Sequence, residues 1–269
     1  MKIVSLVPSA TESIYFLGLE DYLVGVTAYC NYPAAAKSKE KVGSFASPDL
    51  KKILDHKPNI VYVSYNLHKE VIKQLKRRSI KVVNATPSTV EDIFTVLDSI
   101  AEACQSHEAN ILISKLRGQM QITIGESKIK DVRTVRLMYK SKDVFLTPGY
   151  GSYQFDVLKI LGAKQMIFDN DNSYCQIKLK EIKKFNPEVI LLCGMNEEKS
   201  NSARCEKCRL VGTTICHKSA CNLVNQELVE VEAVKNDRVY PIHCSSMCRP
   251  GPRLIESLPM LSNLINSKG

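Results

Sequence analysis

The chain has 269 residues, 44% of them hydrophobic and 24% charged, and its 37 basic and 28 acidic side chains give a formal net charge of +9. That length can bury a sizeable core, as one large domain or two lobes, and no apolar run approaches the ~20 residues of a membrane span. The basic excess is dispersed through "LKKILDHK", "KQLKRRSIK" and "KLKEIKKF" without a stripe of interleaved aromatics, which argues against a nucleic-acid surface.

The opening "MKIVSLVPSATE" holds an apolar run from Ile3 to Val7, stopped by Pro8. An export signal needs a longer apolar stretch, of about 7–15 residues, so the run reads as a strand and a cytoplasmic protein is expected. Ser9, Thr11 and Glu12 then open a helix, either as capping residues or as ligand contacts. This helix ends at Leu17-Gly18, a second strand comes next, and Tyr29-Cys30 closes its turn. "DLKKILDHKPNIVYVS" (Asp49 to Ser64) predicts a short amphipathic helix, a proline and a strand. "LHKEVIKQLKRR" and "SIKVVNA" add another helix and strand. Helical periodicity then runs from about Thr89 to Ile124, broken near Ser106. The segment predicts one helix packed on the first lobe and a second, long helix that joins the first lobe to another.

Past that helix the order recurs. The strand "VRTVRLMYK" opens the second half, and "TPGYGSY" (Thr147 to Tyr153) reads as a turn from strand to helix; it lacks the Gly-Lys-Ser/Thr ending of a phosphate loop. Ile160 to Cys175 repeats Phe16 to Cys30. Lys178 to Cys193 repeats Asp49 to Ser64, with Leu50 matching Leu179, Ile53 matching Ile182 and Pro58 matching Pro187. A duplicated strand–helix order implies an α/β fold: two lobes with mostly parallel sheets, at 1–105 and 129–269, joined by a backbone helix at 106–128.

The repeat isolates a cysteine-rich insertion at about 195–225. It reads C-x2-C-x7-C-x4-C through Cys205, Cys208, Cys216 and Cys221, and the chain has ten cysteines in all. Cys193 precedes the insertion at the end of one strand; Cys244 and Cys248 in "HCSSMC" come after the next strand, "RVYPI". Cys30 and Cys175 fall in repeat-related turns. In a reducing compartment such clusters are more often metal ligands than disulfides. Four thiolates suit structural zinc, and also a four-iron cluster. Seven thiols at one edge exceed one zinc site, so the expectation is an iron–sulfur site of 4Fe-4S type, two cubanes or a larger fused cluster, on Cys193, Cys205, Cys208, Cys216, Cys221, Cys244 and Cys248, with Cys30 and Cys175 as further candidates and zinc as the alternative. His217 and His243 are replacements for a thiolate. Cys104, on a helix, reads as a small buried hydrophobe.

"IVSLVPSATESIYFLGLEDYLVGVT", "CNYP", "KVGSFASPDLKKILDHKPNIVYVS" and the closing "RPGPRLIESLPMLSNLI" together resemble the vitamin B12-binding-protein-like superfamily, whose members have a helical backbone between two α/β lobes. The chain is most similar to leaderless, cytosolic, cobalamin-binding-like members, over nearly its whole length outside the insertion. The resemblance implies a ligand cleft between the lobes that takes a corrinoid, haem, siderophore or metal ion. Corrinoid-binding members commonly stack aromatics on the ligand; with no Trp in the chain, Tyr29, Tyr32, Tyr150 and Tyr153 fall to that part. Arg249 and Arg253 of "RPGPR" would pair an acidic ligand group or form a structural ion pair.

No Ser-His-Asp order and no catalytic carboxylate pair stands out. The first reading is therefore a binding protein holding a metal cluster or a metal chelate. The second is an iron–sulfur enzyme or electron-transfer protein acting on a ligand in the cleft, with a redox partner protein. The third is a zinc-stabilised binding module.

Overall fold

The computed structural model describes residues 1–141, 143–193 and 224–267. The chain divides into two compact units, Met1–Gln119 with Arg249–Ile255, and Met120–Cys248 with Glu256–Gly269.

The first unit is built on four parallel strands, β1 (Ile3–Ser5), β2 (Leu23–Val26), β3 (Ile60–Val63) and β4 (Lys81–Asn84), in the order β2-β1-β3-β4. Every residue of β3, Ile-Val-Tyr-Val, is buried, as expected of a parallel strand covered on both faces. Helices α1 (Pro8–Phe16), α2 (Leu50–Asp55), α3 (Lys69–Lys76) and α4 (Val90–Cys104) supply the cover. Val4, Leu6, Val61 and Val63 pack with Ile53 of α2 and Leu75 of α3 in one apolar cluster. Asp49 caps α2, and Thr89 with Asp92 forms a capping box at the start of α4. The start of α1 differs from expectation. Its cap is Val7, with no side-chain bond and Pro8 in the first turn; Thr11 donates instead to Ser5 Oγ at 2.9 Å. With Pro8 supplying no N–H, one orphan donor of the turn is removed without a polar cap.

His68 ties the end of β3 to the loop at Phe45. Its Nδ1 accepts the Ser64 N–H at 3.0 Å, which leaves Nε2 as the donor to the Phe45 carbonyl at 2.6 Å. The ring is 2% exposed. Burial lowers its pKa, against the opposing pull of the Phe45 carbonyl. With the folded pKa below the unfolded value of about 6.5, the unfolded chain gains a proton that the folded one refuses. Stability is therefore full above about pH 6.5 and falls as pH drops below it, by at most ~1.4 kcal/mol per pH unit. Urea unfolding at about pH 7.5 and 5.5 measures this; the difference should shrink in His68→Gln.

Helix α5 (His107–Glu126) carries the chain from the first unit into the second. No helix among the described residues is long and apolar enough to cross a membrane. Among the described residues, the second unit holds five strands: β5 (Thr134–Ser141), β6 (Val144–Pro148), β7 (Tyr174–Lys178), β8 (Val189–Cys193) and β9 (Val239–Ile242), ordered β7-β6-β5-β8-β9. β5, β8 and β9 are parallel, whereas β6 and β7 join as antiparallel strands. The sheets are thus mostly parallel, and the two predicted helix–proline–strand repeats are α2–β3 and α7 (Leu179–Phe185) with β8.

One part of the predicted duplication fails. Cys175 lies inside β7, paired with Thr147 of β6, and not in a turn after a strand. Short β7 alternates, with Cys175 and Ile177 inward and Gln176 and Lys178 exposed. That is the pattern of an antiparallel strand with one wet face.

In the parallel part, Arg136 of β5 is level with Leu191 of β8, which is level with Tyr240 of β9. Side chains alternate along strands. Val135, Leu137, Ile190 and Leu192 therefore face one side, where they pack with Phe145, Ile177, Ile182, Val224 and Leu228. Arg136, Leu191 and Cys193 face the other. The chain ends through α8 (Glu232–Lys235), α9 (Cys244–Met247), α10 (Pro252–Glu256) and α11 (Leu258–Asn266).

Candidate metal centre

In open α/β sheets the carboxyl ends of the strands are where ligands bind, because loops there are free to vary over a rigid frame. Cys193 is the last residue of β8, and Cys244 lies two positions past the end of β9 at Ile242. One helical turn carries the chain from Cys244 to Cys248, whose N–H bonds the Cys244 carbonyl at 2.8 Å. The three Sγ atoms lie within 4.8 Å of one another, the one group of this kind among the described residues. Cys248 is buried and the other two are half-buried. The spacing suits thiolates sharing one metal centre. Cys205, Cys208, Cys216 and Cys221, with His217, lie outside the described residues.

The turn presenting Cys244 and Cys248 is held from beneath. Gln154 Nε2 donates to the Met247 carbonyl at 2.6 Å, and Tyr153 Oη donates to the same oxygen at 3.3 Å. Both belong to α6 (Tyr153–Ile160), which is capped by Ser152. His243 caps the turn: its Nδ1 accepts the Ser245 N–H at 3.1 Å and pairs with the Ser245 hydroxyl. That nitrogen is taken, so a metal would find only Nε2 of His243.

A residue that sequence reasoning missed faces the sulfurs. Arg136 is completely buried. Its Nη2 donates to Cys248 Sγ at 3.4 Å. Its Nε and Nη1 have no hydrogen-bond partner among the described residues. Burial would lower the guanidinium pKa, but negative charge at Cys248, Cys193 and Cys244 outweighs it and raises the pKa. An uncompensated buried ion costs several kcal/mol, so a dry arginine beside three thiols points to charged sulfur. A signal was available: an Arg between Val135 and Leu137 on a strand of parallel type, where both faces are covered.

The remaining predicted residues are placed as follows. Cys30 belongs to the first unit, where its Sγ lies 3.3 Å from Thr27 Oγ1. Cys175 Sγ lies 3.6 Å from Asn170 Oδ1, and burial raises its pKa. Neither is in the three-cysteine group. Cys104 ends α4, half-buried where full burial was expected, and also stands outside that group.

Tyr29 is half-buried. Tyr150 is exposed, its ring centroid 4.7 Å from that of Phe155. Tyr153 is 4% exposed and faces Met247; a ring so enclosed offers no face for stacking, so its part is support. The glycines of "TPGYGSY" serve close backbone approach. A Cβ on Gly149 would stand 2.3 Å from the Asn172 carbonyl oxygen, and one on Gly151 2.3 Å from that of Asp171.

Arg249 and Arg253 converge on Glu12 in the first unit. Arg253 Nε donates to Glu12 Oε2 at 2.9 Å and its Nη2 lies 2.6 Å from Oε1; Arg249 pairs with Oε1 as well. Arg249 Nη2 also donates to Asn31 Oδ1 at 2.9 Å, and the Arg253 guanidinium sits 3.7 Å above the Tyr32 ring. Of the two roles expected for these arginines, the structural ion pair is the one seen.

Relatives match along nearly the whole chain. A lipoprotein of Bacillus subtilis (strain 168), described as an uncharacterised ABC transporter substrate-binding protein, is 28% identical over 98% of this chain and 79% of its own. The vitamin B12-binding protein of Vibrio cholerae is 25% identical over 96% of this chain and 86% of its own. Among solved structures, the periplasmic vitamin B12-binding protein of Vibrio cholerae has a TM-score of 0.78 at 20% identity, covering 98% and 96% of the two chains. A haem-binding protein from Roseiflexus sp. RS-1 has a TM-score of 0.73 at 17% identity, covering 98% and 97%. The family model described as "Periplasmic binding protein" matches residues 3–244. With that match over most of its length, the chain belongs to the periplasmic binding protein family.

Proposed function

We propose that the protein binds a small metal chelate, a corrinoid or a compound like it, and carries an iron–sulfur centre held by Cys193, Cys244 and Cys248 together with cysteines of the insertion. The relatives' names support the first half, since they include binders of vitamin B12 and haem. The second half rests on one observation: three sulfurs within 4.8 Å of one another beside a wholly buried arginine. Three or four thiolates crowded together repel, and burial without cations would protonate them. A cluster of iron and sulfide removes that conflict and occupies more thiols than one zinc ion does. Such a centre belongs in a reducing compartment, the cytoplasm.

The position of these cysteines at the ends of β8 and β9 favours a second reading. A redox centre at a ligand-binding edge would exchange electrons with the bound chelate, supplied by a partner protein. The test of both is protein purified without oxygen, analysed for iron, acid-labile sulfide and zinc, with an absorption spectrum before and after dithionite. Iron and sulfide in equal amounts with a bleachable visible band are expected. Zinc alone would overturn the proposal.

A further inference from the structure

We infer that Arg136 is the fixed counter-charge of an anionic metal–thiolate centre on Cys193, Cys244 and Cys248, and that its guanidinium raises the centre's reduction potential; this rests on the iron–sulfur reading above. Three features carry it. Arg136 has no exposed surface. One of its donors reaches Cys248 Sγ at 3.4 Å, while Nε and Nη1 meet no acceptor among the described residues. No carboxylate among those residues forms an ion pair with it.

A guanidinium offers five N–H donors in a rigid fork and does not lose its charge in a protein. Held on the rigid strand β5, on the face that also carries Cys193, it cannot turn outward to water. Its remaining donors suit the sulfurs of an anionic cluster. An iron–sulfur cluster on thiolates is negatively charged and gains one further unit of charge on reduction. A permanent positive charge close by, in a water-poor site, stabilises the reduced form more than the oxidised one. The potential therefore rises, and the N–H···S bond shortens as charge builds on sulfur. Reduction moves one electron from an external reductant such as dithionite onto iron, ferric to ferrous. No bond is made or broken in this step, and the thiolates take up no proton.

The experiment compares wild type, Arg136→Met and Arg136→Lys, all prepared anaerobically. Iron and sulfide are measured first, then the midpoint potential by mediated titration read by electron paramagnetic resonance. Methionine keeps the bulk and removes the charge; lysine keeps the charge. Arg136→Met should hold its cluster yet show at least a tenfold lower reduced-to-oxidised ratio at a fixed potential, which is about 59 mV for one electron. Arg136→Lys should recover at least half of that shift. A fully loaded Arg136→Met with the wild-type potential overturns the inference and leaves the iron–sulfur reading standing. Wild type without iron and sulfide removes the iron–sulfur reading, and the inference with it. If Arg136→Met fails to fold, wild type labelled with nitrogen-15 arginine decides. A hyperfine coupling between a guanidinium nitrogen and the reduced cluster supports the contact, and no coupling overturns it.

Discussion

Cys244→Ala, purified without oxygen, should lose its iron to background, while Cys104→Ala keeps the wild-type content. Losing even an outer-shell partner typically costs a metal site ~10–100-fold in affinity; losing a thiolate from a compact group should cost more. Cys244 has no substitute close by among the described residues. Cys248 and Cys193 already stand within 4.8 Å of it, and His243 Nδ1 is committed to Ser245. Metal binding is also folding energy, since ligands must be gathered and deprotonated. Cys244→Ala should therefore unfold at lower temperature than wild type when both are loaded under the same conditions. Cys104 ends α4 in the first unit and should affect neither quantity. Full iron in Cys244→Ala would remove Cys244 from the ligands of the centre.

Glu12→Gln is expected to lower stability by about 3 kcal/mol, read as a fall in the urea midpoint. The Glu12 side chain is 4% exposed, and those of Arg249 and Arg253 are 22% and 23% exposed. Removing one member of a buried ionic group leaves its partners uncompensated, at a cost of roughly 3–5 kcal/mol. The residual exposure of both arginines puts this case at the low end. Replacing Arg249 alone should cost less, because Arg253 still satisfies both carboxylate oxygens through Nε and Nη2. Equal losses from the two substitutions would show that the carboxylate is not the centre of the group.

The residues differ in how openly they declared their places. α2–β3 and α7–β8 were legible because a short amphipathic helix, a proline and an apolar run each leave a local signal, and the two copies reinforce each other. Cys193 and Cys244 were legible because strand ends locate ligand edges. β7 was not, because five residues with one wet face carry too little pattern to distinguish a strand from a turn and the start of a helix. Arg136 was missed for a different reason. A charge in a strand ordinarily marks a solvated face, and only the second cover over β5 and β8 makes it a buried one. The ion pairs of Arg249 and Arg253 were left open between a ligand and a structural partner. Their partner lies more than 230 residues away in sequence, and no local rule spans that distance.

That separation has a consequence for the order of assembly. The bond from Arg253 to Glu12 joins residues 241 apart, so the first unit is not one continuous stretch of chain. Its N-terminal strands and helices leave the ribosome long before the segment that neutralises Glu12. Until then Glu12 must stay hydrated, or be buried at a penalty with no cation opposite. Loop-closure entropy grows only slowly with length, so the long reach adds little to the equilibrium cost. It is felt in time: at about 5–20 residues per second, the nascent first unit waits for several seconds or more without its clamp. Final locking of the first unit is thus tied to the emergence of Arg249 and Arg253, and a ribosome stalled before Arg249 releases a chain whose first unit cannot close its ion pairs.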